Sequence, residues 1–117
     1  MTVKECYEEM GASYDEVFGR LRTDERIAKF LRRVADDKSM ELLESSIATG
    51  NAEEAFRAAH TIKGICMNLA LTKMSASASA ATEALRGKST VEAGVAPLIA
   101  ALKADYDNTI RCIKALD

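Results

Sequence analysis

His60 is the only histidine of the chain, and it stands in the run Ala59-His60-Thr61-Ile62-Lys63-Gly64. An imidazole nitrogen is a nucleophile that works near neutral pH. On a helix, residues three apart are surface neighbours, so Lys63 at i+3 and Arg57 at i−3 can each meet an anionic group received by His60. Gly64 follows one turn after the histidine. A glycine inside a helix costs about 1 kcal/mol relative to alanine, and a close approach by another molecule explains why this position accepts that cost. The residue types therefore suit transfer of a group to an imidazole at a surface where a partner docks.

The element that must present these groups can be projected at about 100° per residue. With His60 at zero, Ala55, Ala58, Ala59, Ile62, Ile65, Cys66 and Leu69 fall between about 140° and 260°. That apolar arc is centred about 160° from the histidine, so a helix packed by this arc turns the imidazole to solvent. Glu53, Arg57, Lys63 and Gly64 share the side of His60. Phe56 and Met67 lie at about −40° and −20°. Two large apolar groups beside an exposed histidine form a docking surface, and Phe56 is also placed to rim the core against a neighbouring helix.

Other chemistry is thinly represented. Cys6, Cys66 and Cys112 are odd in number and widely spaced, as expected of free thiols in a reducing cytoplasm. Three cysteines and one histidine without ligand spacing do not suit a structural zinc site. Neither a Gly-rich phosphate loop nor an acidic metal cluster accompanies His60, so no ATP, metal or other cofactor is expected. A net charge of −2, from 16 basic and 18 acidic residues, supplies no field for a nucleic-acid backbone. No apolar run approaches the roughly 20 residues that span a bilayer, and the N-terminus lacks the apolar core of a signal peptide. A cytoplasmic protein, independent of membranes, is the expectation.

Hydrophobic residues make up 48% of the chain and charged residues 29%, a balance that supports a packed core. The 117 residues suit one domain spanning 1–117. One proline, few glycines and no period-2 alternation indicate an all-α fold. Gly11-Ala12-Ser13 separates two short N-terminal helices, with Ser13 and Glu16 as a capping box before Tyr14, Val17, Phe18 and Leu21. Thr23 or Asp24 opens a long helix through Ile27, Phe30, Leu31, Val34, Leu42, Leu43 and Ile47 to Gly50. Asn51 with Glu54 caps the helix that carries His60. Thr72 caps the next, whose small-residue face Ser75–Ala81 admits a close neighbour and which ends at Gly87. Ser89 with Glu92 opens the last, with Pro97 in its first turns. Four amphipathic helices joined by short loops predict an antiparallel up-down four-helix bundle, with the short N-terminal helices covering one end.

The run Ala59–Gly64, followed by Asn68-Leu69-Ala70-Leu71, resembles the signature of histidine phosphotransfer domains. In that family a helix carries His-x-x-Lys-Gly and then an Asn-Leu-Gly-like turn. The resemblance in detail covers residues 52–74 and implies a four-helix bundle with the phosphorylated histidine exposed. It further implies that His60 is the phosphoacceptor, Lys63 stabilises the phosphoryl group and Gly64 clears space for a receiver domain. The helix projection, not the resemblance, adds Glu53, Phe56, Arg57 and Met67 beside them as the expected docking residues. The implied role is a phosphocarrier that accepts a phosphoryl group from a receiver aspartyl phosphate and passes it to another receiver, in a response regulator or hybrid kinase. The divalent metal and the catalytic aspartate then belong to the receiver, and the chain is a monomeric intermediate rather than an autonomous enzyme. Two other functions fit the same fold: a protein-interaction module without phosphotransfer, and a kinase-linked domain phosphorylated from ATP-bound kinase. Departures from the signature are Ile65 and Cys66, where small residues are common, and Ala70 in place of glycine.

Overall fold

Capping side chains settle where most of the helices begin. A computed structural model describes residues 1–117 as seven helices without a strand. Thr2 and Glu5 cap each other's backbone N–H groups to open α1 (Val3–Met10), a complete capping box that the pattern of apolar residues does not reveal. The Ser13 hydroxyl accepts from Glu16 N–H at the start of α2 (Tyr14–Leu21), Thr23 accepts from Arg26 N–H to open α3 (Asp24–Asp36), and Asn51 accepts from Glu54 N–H to open α5 (Ala52–Asn68). The expected Ser13 box is only half formed, because Glu16 turns forward to Arg20 at 2.5 Å instead of back to the cap.

Three boundaries differ from the sequence expectation. The long helix from Thr23 to Gly50 is two, α3 and α4 (Ser39–Ala48), separated at Asp37 and Lys38. Asp37 has extended backbone angles and its carboxylate accepts from Ser39 N–H at 2.8 Å. A short acidic side chain that bonds nearby backbone competes with the helical ladder, and here it prevails over continuous apolar periodicity. The last helix, α7 (Val95–Lys114), starts six residues beyond Ser89 with no side-chain cap at Gly94. Starting at Thr90 would put Pro97 in the helix interior, where it removes a hydrogen bond and clashes with the preceding turn. Starting at Val95 leaves it in the first turn, where its missing N–H is harmless. In α6 (Thr72–Leu85) the cap position falls to Leu71, and the Thr72 hydroxyl donates to Ala70 C=O at 3.3 Å.

In the up-down bundle α4 packs on α5, α5 on α6 and α6 on α7, and α3, which precedes α4 in the chain, packs on α7. The molecule is elongated, 43 × 22 × 19 Å, as parallel helix axes require. One cluster of 26 buried residues joins the helices. Of the small residues of α6, Ala78 and Ala81 are fully buried, and the helix packs against both α5 and α7.

The short helices α1 and α2 secure the C-terminal end of α5. The buried Tyr7 hydroxyl donates to Leu69 C=O at 2.8 Å, and Arg20 donates to Met67 and Asn68 C=O at 2.7 and 3.1 Å. A cation on the last carbonyls of a helix satisfies acceptors that the ladder leaves open and favours the negative end of its dipole. Gly11, at φ 63°, turns the chain between α1 and α2, and a side chain there would press on Lys73 Cβ at 3.3 Å. Ala70 also has a positive φ, 55°. The turn after α5 thus keeps the left-handed geometry suited to glycine, although this chain carries alanine.

Candidate functional site

The apolar arc of α5 is buried as projected except at Ile65, which is half-buried at the core edge. Ala55, Ala58, Ala59, Ile62 and Cys66 are in the core, and burial pushes the Cys66 thiol up to about 12. His60 stands on the opposite, exposed side. Its only ring neighbour is Phe56, with centroids 5.8 Å apart at an interplanar angle of 45°. None of the main surface clefts is lined by His60. A small substrate would be held in a concavity, so an exposed imidazole outside these clefts suits presentation to the concave site of another macromolecule.

The cations divide clearly. Arg57 is held by Glu53 at 2.7 Å and Glu54 at 2.9 Å, a fork toward the N-terminal end of α5. Lys63 is half-buried and has no carboxylate within ion-pair distance. Of the two neighbours of His60, the lysine is therefore the one with an uncommitted charge. Gly64 is exposed, and a Cβ built there meets nothing within 4 Å. Its bare face opens to solvent and not to another helix. Met67 is 55% exposed, whereas Phe56 is half-buried and packs on the core edge. His60, Lys63, Gly64, Phe56 and Met67 thus share one face, with Glu53 and Arg57 paired to each other beside it.

Two groups bordering this face come from the C-terminal end of α6, Glu83 in its last turn and Arg86 at its C-cap. The Arg86 guanidinium lies 5.1 Å from the centre of the Phe56 ring and is bonded to Glu83 at 3.0 Å. That hydrogen bond holds the Glu83 carboxyl below its ordinary range, with a lesser contribution from Lys63. Sequence reasoning missed this pair. Its i,i+3 spacing is visible, but a single sequence does not say which face of α6 meets α5. No group of three or more His, Cys, Asp or Glu side chains is arranged to hold a metal ion, and no helix is long and apolar enough to cross a membrane.

The family model of the Hpt domain matches residues 25–111. The chain belongs to the Hpt domain family. The match begins inside α3 and ends inside α7, so it takes in the bundle and leaves out α1 and α2. Comparison with curated proteins and with solved structures gives no match. Hpt domains perform histidine phosphotransfer in phosphorelays, interact with receiver domains and act as phosphocarriers rather than catalysts.

Proposed function

We propose that this Hpt protein accepts a phosphoryl group on His60 from the aspartyl phosphate of one receiver domain and passes it to the aspartate of another. The observation that carries the reading is the solvent-facing His60 beside an uncommitted Lys63 and the open face of Gly64. In the accepting step an unprotonated imidazole nitrogen attacks phosphorus in line. The N–P bond forms as the P–O bond breaks, and the electron pair of that bond leaves on the receiver carboxylate. The proton stays on the other ring nitrogen or passes to water.

Lys63 meets the charge spread over the phosphoryl oxygens with a charge-assisted hydrogen bond. His60 lies eight residues beyond the first residue of α5, outside the reach of the helix dipole, which fades within the first turn. Side chains must therefore supply the field. Metal binding and the acid chemistry of the aspartate fall to the receiver, and this chain works as a monomeric carrier in the cytoplasm. Incubation with a panel of phosphorylated receiver domains tests the reading: the wild type should gain acid-labile phosphate from at least one. Failure to label with any receiver, together with labelling by an ATP-loaded kinase domain, would assign the chain to the kinase-linked class instead.

A further inference from the structure

The α6 ion pair has a place in this chemistry. Arg86 donates to both oxygens of Glu83, Nε to Oε1 and Oε2 at 3.3 and 3.2 Å and Nη2 to Oε1 at 3.0 Å. Both side chains are open to solvent, 51% and 58% exposed, so packing does not lock them together. The guanidinium rests over Phe56, and Phe56 in turn adjoins the His60 imidazole. Cation, aromatic ring and nucleophile therefore form a series across the seam between α5 and α6.

We propose that Glu83 is a stand-in for the phosphoryl group, holding Arg86 while His60 is bare, and that Arg86 exchanges this carboxylate for the phosphoryl oxygens once His60 is loaded. The proposal rests on His60 being the phosphoacceptor. A phosphoryl group brings about −1.5 to −2 charges and three acceptor oxygens, against the single charge of Glu83, and a guanidinium binds either anion through its planar fork. The Phe56 face gives the guanidinium a second contact beside the carboxylate it pairs with, so the cation starts the exchange already held next to the ring that adjoins His60. Arg86 then joins Lys63 as a second phosphoryl-binding cation, contributed by the C-cap of the neighbouring helix. Glu83 is a positioning residue that opposes loading in two ways, by competing for Arg86 and by repelling the incoming dianion. No bond to phosphorus changes in this exchange. It alters the partition of phosphate between receiver and His60, and leaves the fold untouched.

The test is the equilibrium partition of phosphate between a phosphorylated receiver and the full chain, at low and high salt, with melting temperatures in parallel. Glu83→Gln should shift phosphate toward His60 by about threefold and Arg86→Gln away from it by about threefold, with Arg86→Lys between Arg86→Gln and wild type. High salt should shrink the differences, and melting should stay near wild type. Wild-type partition in both glutamine variants, or shifts of the same sign that follow a lowered melting temperature, would overturn the exchange while leaving His60 as acceptor. A wild-type chain that takes no phosphate from any receiver would remove both readings together.

Discussion

At His60 the immediate surroundings assign distinct work to neighbours that look alike on paper. Lys63 and Arg57 are both basic and both one turn from the imidazole, but Arg57 is committed to Glu53 and Glu54 while Lys63 is not. Lys63→Ala should therefore slow transfer by about ten- to a hundredfold, the loss of one charge-assisted contact, with little change in melting; stopped-flow transfer from a phosphorylated receiver measures it, and an unchanged rate would move the role to another cation. Gly64 separates fold from function in the same way. An added side chain meets open space, so Gly64→Gln should melt near wild type yet impair transfer by holding the receiver's loops off the imidazole. Parallel melting and transfer assays decide it, and wild-type transfer in that variant would remove the clearance role.

At the scale of elements, α5 is fixed at both ends by groups outside it or at its margin: Asn51 at the start, and Tyr7 and Arg20 on its last carbonyls. Tyr7→Phe keeps the ring but leaves the buried Leu69 carbonyl without its hydroxyl donor, so chemical denaturation should show a loss of about 1–2 kcal/mol. A loss near zero would mean that another donor replaces it. The helix of the site was legible in the sequence because its signals agree: a cap, a 3.6-residue apolar period and polar residues on the far side. Signals disagreed elsewhere. The apolar spacing from Ile27 to Ile47 continues through Asp37, where a local carboxylate bond ends the helix, and Ser89 with Glu92 imitates a helix start that Pro97 forbids. Arg86 and Glu83 could not be placed, since the pairing of α6 with α5 depends on tertiary packing rather than on local pattern.

For the whole molecule, one core holds all three cysteines as buried free thiols. Burial pushes the thiols of Cys6 and Cys66 up to about 12 from an ordinary value of 9.0 and raises Cys112 as well. An acid with a raised folded value contributes full stability below its unfolded value and loses it as pH climbs toward the folded one. Stability should thus fall between about pH 9 and 12 from this source, more shallowly in Cys66→Ala, as equilibrium denaturation across that range would show. An identical slope in that variant would assign the alkaline loss to other groups.

The most direct measurement follows the phosphoryl group itself. The full chain is incubated with a phosphorylated receiver, repurified, examined by ³¹P NMR and peptide mass spectrometry, and then offered to a second, unphosphorylated receiver. The expected result is an acid-labile N-linked phosphate on His60 that disappears as the second receiver becomes labelled, and no such signal in a folded His60→Gln variant. Phosphate on another residue, or labelling of His60→Gln at the wild-type level, would contradict the assignment of His60 as the carrier.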